Sequence, residues 1–332
     1  MSTSNCNGAS KSNNDNDVLG NMSFNGNNND NGTNTCANCG KKGSDVINTC
    51  NKCKSVMYCN AACKKKHRHK YKKHCEEHLR LAAEQAAKLH DEKLFKQPPL
   101  PFDDCPICFL RMPSLISGSV YMTCCGKVIC YGCIHAVQTR TEKHSLCAFC
   151  RTPNPNSNED DIIRLEKRVK LGDALAMYNI GGKYFNGDDG FPQNYIKALE
   201  LWHQAGELGY APAYTNIGAC YDYGLGVQID KKKAQHYFEL SAMAGNEVAR
   251  NNLGVCERKA GNIVRAIKHF TIAAEGGEAE SVKNIQNLFL NGYATKEDYT
   301  KALFAYQSYL REIRSAQRDE AAAFDDDYKY IS

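Results

Sequence analysis

The chain has 332 residues, 42 % of them hydrophobic, and a formal net charge of +5. That is room for two or three modest domains, and too little bulk charge to make the whole chain a nucleic-acid binder. No apolar run approaches the length of a membrane span, and the opening MSTSNCNGASKSNNDND has the pattern of neither a secretory signal nor an organelle-import peptide. Cytosol or nucleus is the expected compartment, where the eighteen cysteines are expected to be reduced.

Residues 1–35 are dominated by asparagine, glycine, serine and aspartate, a composition that cannot bury enough surface to offset chain entropy. A disordered tail is predicted there, with Cys6 a spare thiol. Fifteen of the cysteines then crowd into residues 36–150 as close pairs. Reduced, paired cysteines point to zinc. A disulfide framework would need an oxidising compartment that nothing here supplies.

The first cluster comprises CANC at 36–39, CNKC at 50–53, then Cys59, Cys63 and Cys75. Zinc needs four donors in a tetrahedron, and a C-x-x-C turn supplies two from one tight loop. The order and spacing resemble a MYND finger over 36–75, an interaction module holding two zincs in an interleaved pattern. That resemblance implies Cys36, Cys39, Cys59 and Cys63 on one zinc, and Cys50, Cys53 and Cys75 on the other. The second zinc of the family takes a histidine at the position held here by Tyr71, so His67, His69 or His74 is the substitute to look for. The run KKKHRHKYKK (64–73) carries seven cationic side chains. Nuclear import and nucleic-acid contact are its functional readings; the reading adopted is a solvated helix face, with nucleic acid not an expected partner. Glu76–Phe95 is rich in helix formers, and QPPLP at 97–101 stops it.

The second cluster contains Cys105, Cys108, Cys124, Cys125, Cys130, Cys133, Cys147 and Cys150. CPIC, CGKVIC-x-x-C and C-x-x-CR resemble an all-cysteine RING finger over about 102–153. The cross-brace that this implies puts Cys105, Cys108, Cys130 and Cys133 on one zinc and Cys124, Cys125, Cys147 and Cys150 on the other. Lys127 stands where RINGs usually have histidine, which is tolerable because Cys124 can take the donor role. Adjacent cysteines chelate one metal awkwardly, which leaves His135 or His144 as fallback donors. Four thiolates leave zinc no open position, so its role is structural, and no nucleophile–base pair, phosphate loop or paired-carboxylate motif is found elsewhere. In RING ubiquitin ligases the chemistry belongs to a conjugating enzyme, which the RING positions. The resemblance implies that Ile107, Ile134 and Val137 contact that partner and that Arg151 is the linchpin, although Ala148 departs from the usual proline. The plainer reading of Ile107 and Ile134 is that they cover the zinc core.

After the linker RTPNPNSNEDD the texture turns repetitive. YNIG (178–181), TNIG (215–218), NNLG (251–254) and KNIQ (283–286) recur, as do KALELW (197–202), KAQHYF (233–238), RAIKHF (265–270) and KALFAY (301–306). Each unit reads as two helices with a glycine-containing turn; the third has lost the insertion that GLGVQIDK makes in the second. Gly209, Gly245 and Gly277 are expected helix stops. Gly181, Gly218 and Gly254 lie inside helices, where glycine is unfavourable, so close crossing by a neighbour is predicted, with Trp202, Phe238, Phe270 and Tyr306 filling the inter-repeat core. These units resemble Sel1-like repeats, relatives of the tetratricopeptide family, over roughly 170–312. The predicted architecture is multidomain: small zinc-stabilised α+β fingers at 36–75 and 102–153, a helix and linker at 76–101, a linker at 154–165, an all-α helix-turn-helix solenoid over 166–314, and a tail at 315–332. Two functional readings follow. One is a RING-type ligase module whose repeats recruit an unspecified partner on their concave face. The other is a non-catalytic zinc-finger and repeat scaffold.

Overall fold

The structure, a computed structural model, describes residues 34–44, 46, 48–96, 104–114, 118–140, 146–325, 328 and 330. Cys6, most of the predicted disordered tail and His144 lie outside them. The chain divides into two compact units, Met1–Leu89 and His90–Ser332.

In the first unit, β1 (Asn48–Thr49) pairs antiparallel with β2 (Met57–Tyr58); α1 (Ala61–Leu94) begins there, and its last residues, from His90, belong to the second unit. The helix predicted at 76–95 is thus the continuation of one that begins inside the finger. Its residues Tyr71 and Cys75 are one turn apart and so share one face. Among the described residues the unit's apolar core is small: Cys36, Val46 and Tyr58 form one cluster with neighbouring cysteines packed on it, and Tyr71 and Cys75 are also buried.

In the second unit, β3 (Ser119–Met122) and β4 (Lys127–Cys130) form a hairpin that runs into α2 (Tyr131–Arg140). Helix α3 (Asn158–Lys170) leads into four helix pairs: α4 (Ala174–Asn186) with α5 (Tyr195–Glu207), α6 (Ala211–Tyr223) with α7 (Lys231–Met243), α8 (Glu247–Lys259) with α9 (Ile263–Gly276), and α10 (Ala279–Leu290) with α11 (Lys296–Ile313). The short turn between α8 and α9 is the predicted deletion. The aspartate that ends the inter-helix turn of the second repeat has a visible purpose: Asp230 caps α7, accepting from the amides of Lys232 at 3.1 Å and Lys233 at 3.0 Å.

The intrahelical glycines are contact points, as predicted. A Cβ on Gly181 would stand 2.6 Å from Trp202 Nε1, one on Gly218 2.7 Å from the Phe238 ring, and one on Gly254 2.5 Å from the Phe270 ring. Helix propensity is sacrificed at these three positions so that a large aromatic of the partner helix can lie against bare backbone. Trp202, Phe238, Phe270 and Tyr306 are all buried.

Three features depart from the sequence reading. Residues 315–332, expected to be a tail, contain α12 (Ala316–Phe324), which packs on α2 and buries Arg318 and Ala321 completely. The hairpin segment is joined to the helical part of the same unit rather than standing apart: Tyr121 donates to Asp173 at 2.7 Å, Thr123 to Asp161 at 2.7 Å, and Arg111 pairs with Glu312 at 2.6 Å. Part of the repeat surface is covered by the chain itself. Leu94 is buried among Ala234, Phe238, Ala249 and Leu253, its carbonyl accepts from Arg250, and Asp91 pairs with Arg265.

Candidate metal centres

Four C-x-x-C knuckles share one backbone geometry. The residue after the second cysteine, Gly40, Lys54, Phe109 or Arg151, is left-handed at φ of 72°, 52°, 55° and 63°. Its amide donates to the carbonyl of the first cysteine, at 2.9, 3.0, 2.8 and 3.1 Å in turn. Glycine takes this conformation freely, whereas each of the other three costs about 1 kcal/mol or more. Backbone strain at Lys54, Phe109 and Arg151 therefore implies a strong local constraint, and two thiolates closing on one ion supply it.

All fifteen clustered cysteines fall into four sets whose sulfurs lie within 4.8 Å of one another: Cys36, Cys39, Cys59 and Cys63; Cys50, Cys53 and Cys75; Cys105, Cys108, Cys130 and Cys133; Cys124, Cys125, Cys147 and Cys150. Zinc with sulfurs at 2.3 Å makes a tetrahedron whose edge is about 3.8 Å. The sulfurs meet that figure: Cys39–Cys59 3.6 Å, Cys59–Cys63 3.6 Å, Cys50–Cys75 3.8 Å, Cys105–Cys133 3.9 Å, Cys108–Cys130 3.8 Å, Cys125–Cys147 4.0 Å and Cys124–Cys150 3.4 Å. These spacings are almost twice a disulfide bond, and every described cysteine is free. Polar neighbours ready some thiols for a cation. Burial pushes Cys150 up, but the hydroxyl and amide of Thr152 outweigh it and hold the thiol at about 6; at Cys53 the Ser55 hydroxyl and amide do the same, to about 7.

The sets answer the question raised by Lys127. That residue is exposed at the start of β4, and among the described residues no histidine replaces it. Cys124 and Cys125 reach one centre because they sit in a tight turn, where the amides of Cys125 and Gly126 both donate to the Met122 carbonyl. In a strand, adjacent side chains would point to opposite faces; the turn removes that obstacle. His135 is not the fallback donor, since its ring lies 5.0 Å from that of Phe324 on α12.

Arg318 was invisible as a site residue in the sequence. It is completely buried and bonds to the carbonyls of Arg111, at 2.9 Å, and Ile313, with a further nitrogen 3.9 Å from Cys108 Sγ. Burial would push the guanidinium down, yet the thiolates of Cys130 and Cys108 hold it above its ordinary value. A zinc ion with four thiolates carries two net negative charges, so the metal centre is the counter-charge of this buried cation. Arg318 also lies against Gly132 at the start of α2, where any Cβ would collide with it.

The three-cysteine set has Tyr71 at the family's histidine position. Tyr71 is buried, its hydroxyl 2.8 Å from Ser55 Oγ and 3.9 Å from Cys53 Sγ. None of the substitutes proposed from sequence joins the sulfurs: His67 Nδ1 is 3.2 Å from the Tyr58 hydroxyl, and His69 and His74 are exposed.

Of the residues implied to touch a conjugating enzyme, Ile134 is 9 % exposed and belongs to the core over the zinc sulfurs, while Ile107 and Val137 are half-buried against that core. Arg151 is exposed. Sequence reasoning passed over Phe109 and Phe149, which the first and last knuckles leave 75 % and 43 % exposed. It also missed a groove of about 600 Å³ in which Tyr121 and Thr123 of the hairpin face Tyr178, Asn179, Lys183 and Asn216 of the repeats. Each of these last residues occupies a repeat position, but the hairpin's share depends on a long-range contact that no local pattern announces.

A MYND finger family model matches residues 36–75, and a Sel1 repeat model matches 174–210, 211–246 and 249–278. The chain carries a MYND finger and Sel1 repeats. Over 116 residues it is 31 % identical to an Arabidopsis thaliana protein named ERAD-associated E3 ubiquitin-protein ligase component HRD3B, a match covering 34 % of this chain and 18 % of that one. Over 53 residues it is 42 % identical to E3 ubiquitin-protein ligase GW2 of Oryza sativa subsp. indica, covering 16 % of this chain and 12 % of that one. The chain thus spans less than a fifth of either curated relative. A crystal structure of a Sel1 repeat protein from Oxalobacter formigenes aligns with a TM-score of 0.40 at 25 % identity, covering 51 % of this chain and 65 % of that one. The MYND finger and its fellow cysteine sets are of zinc-binding type, and the repeats give the chain a protein-interaction role. Among the described residues no helix is long and apolar enough to cross a membrane.

Proposed function

We propose that this is a zinc-held interaction protein of the cytosol or nucleus in which the segment 102–153 works as a RING-type ubiquitin-ligase module and the Sel1 repeats recruit its partner. The observation that carries the reading is the alternation of donors: the first and third cysteine pairs of this segment share one centre, the second and fourth share the other. Around them a hairpin leads into α2, with Ile107, Val137 and Arg151 as the contacts for a conjugating enzyme. The printed names of the Arabidopsis and rice relatives point the same way. No residue of the chain need take part in bond making, because the thiolates fill the metals' coordination and the module only positions a loaded enzyme. In the groove shared with the hairpin, Asn179 and Asn216 offer amides that both donate and accept, as the backbone of an extended peptide requires.

The alternative, a non-catalytic scaffold, draws on the burial of Ile134, which shrinks the apolar surface open to a conjugating enzyme. An autoubiquitination assay of the zinc-loaded chain against a panel of conjugating enzymes separates the two. The ligase reading expects chain formation with at least one enzyme, abolished by Ile107→Ala at unchanged zinc content. No product with any of them leaves the scaffold.

A further inference from the structure

We infer that the Cys50, Cys53 and Cys75 centre of the MYND finger is a zinc site of three sulfurs and one oxygen, closed by the Tyr71 hydroxyl, and that it holds the exchangeable zinc among four. The inference rests on zinc occupancy of the finger and is independent of the ligase reading.

The argument begins with helix geometry. Tyr71 precedes Cys75 by one turn on α1, so the two side chains leave the helix on the same face. They turn toward the knuckle that carries Cys50 and Cys53. Cys50 and Cys75 sulfurs are already one tetrahedral edge apart at 3.8 Å. The Tyr71 hydroxyl is 3.9 Å from Cys53 Sγ, where a zinc-bound oxygen and sulfur would be separated by about 3.5 Å for bonds of ordinary length. A shift of a few tenths of an ångström brings that edge to the tetrahedral figure. Ser55 Oγ, 2.8 Å from that hydroxyl and 3.1 Å from Cys53 Sγ, orients it, as partners of metal ligands commonly do.

No nitrogen competes for the position. Among the described residues no histidine, aspartate or glutamate donor joins the three sulfurs. His67 and His74 instead brace the Tyr71 ring, with centroids at 5.3 Å and 5.0 Å. Tyr71 is 9 % exposed, which fits a side chain held for its hydroxyl rather than one left over from a lost ligand. The chemical consequence follows from donor type: the other three centres offer four soft thiolates each, whereas a phenolic oxygen is a harder and weaker partner for zinc. Cys50 and Cys53 are half-buried, no more exposed than sulfurs of the other centres, so donor type rather than access sets the difference. The finger is therefore built around one retained zinc and one that can be exchanged with solution.

The test uses the full chain loaded with zinc, counted by elemental analysis, then challenged with excess EDTA while a chromogenic indicator follows release. One zinc of four is expected to leave at least ~10-fold faster than the rest. Cys75→Ser should abolish that fast phase and leave three zincs. Tyr71→Phe should speed it further by about 10-fold or lose the ion altogether, in line with the cost of disturbing a metal's close partners. Tyr71→His should slow it into the main phase. In the cobalt-loaded chain, a tyrosine-to-metal difference absorbance should be present and should vanish in Tyr71→Phe, while circular dichroism shows the repeats intact. Four zincs and unaltered release in Tyr71→Phe, or a fast phase that survives Cys75→Ser, would overturn the assignment. A chain that takes up no zinc would overturn the zinc reading itself.

Discussion

Between Cys36 and Cys75 the buried apolar residues among those described are Cys36, Val46, Tyr58, Tyr71 and Cys75, whereas the last repeats alone bury Phe270, Ile285, Leu288, Tyr306, Tyr309 and Ile313 in one cluster. Two ways of specifying a structure stand side by side in one chain. So few buried side chains cannot offset the ordering entropy of a forty-residue loop-rich segment, so the metal must be the core of the finger. In the repeats each helix pair buries its stripe against the next, and ions are not needed. The segment from Cys105 to Cys150 lies between these extremes. It has its own sulfur-centred core and, through α12 and α3, the support of the helical part of its unit.

Stripping the zinc breaks this comparison most completely. Apparent binding energies of structural zinc are about 10–16 kcal/mol, more than a small domain's whole stability. Removal by chelator at neutral pH should abolish amide protection throughout 36–59, read by hydrogen exchange, while α4–α11 stay protected. Loss of protection in the repeats to the same degree would mean that metal and helices form one cooperative structure.

Arg318 is where the two modes meet, and its removal should have the next largest effect. Arg318→Met leaves a doubly negative zinc centre without its buried counter-charge and strips the carbonyls of Arg111 and Ile313 of a donor. Breaking such a pair costs about 3–5 kcal/mol, measurable as a lowered urea midpoint of the zinc-loaded chain. The loss should shrink sharply in metal-free protein, because the charge that Arg318 balances is then gone. An equal loss with and without zinc would reduce Arg318 to a packing residue.

How much of this was legible in the sequence depends on the range of the interactions. The sulfur sets could be read because C-x-x-C knuckles are local and donor counts must close. The repeat core could be read because Gly218 and Phe238, or Gly254 and Phe270, recur in register. What escaped is long-range and sparse. Helix α12 has the composition of a polar tail, and Leu94 with Phe95 is too short an apolar stretch at the end of a charged helix to announce a docking site. The family pattern singled out Tyr71 at the histidine position of the MYND finger. It did not give the placement of the Tyr71 hydroxyl beside Ser55 and Cys53, which exists only once α1 has formed.

The glycine contacts offer a smaller perturbation confined to the helical side of the comparison. Gly254→Ala would put a methyl 2.5 Å from the Phe270 ring, which is fully buried and cannot retreat. Alanine raises helix propensity by nearly 1 kcal/mol, but overpacking costs about 1–3 kcal/mol. A net loss of the order of 1–2 kcal/mol in thermal or urea unfolding is expected, with zinc content unchanged. Stabilisation would show that the neighbouring helix shifts freely, contrary to a close-packed crossing.

The smallest effect concerns a carboxyl that the repeats bury at their own expense. Glu247, at the start of α8, is 4 % exposed with one carboxylate oxygen unpartnered. Burial pushes it from 4.5 up to about 7, the nearby Glu278 adds to the shift, and Arg111 works against it. The folded state then holds a proton that the unfolded chain releases between those two values, so Glu247's contribution to stability falls as pH rises from about 4.5 to about 7 and the full cost is present above that. Glu247→Gln removes the charge but keeps the shape. It should stabilise the repeats by about 1 kcal/mol at pH 8, below the ceiling of ~3 kcal/mol that the shift implies because a loosened loop can admit water. The gain should disappear by pH 4, where both forms are neutral. Since none of the four sulfur sets includes a residue of α8, the same pH difference should persist in metal-free protein, and its disappearance on chelation would show that the helical core leans on the metal centres after all.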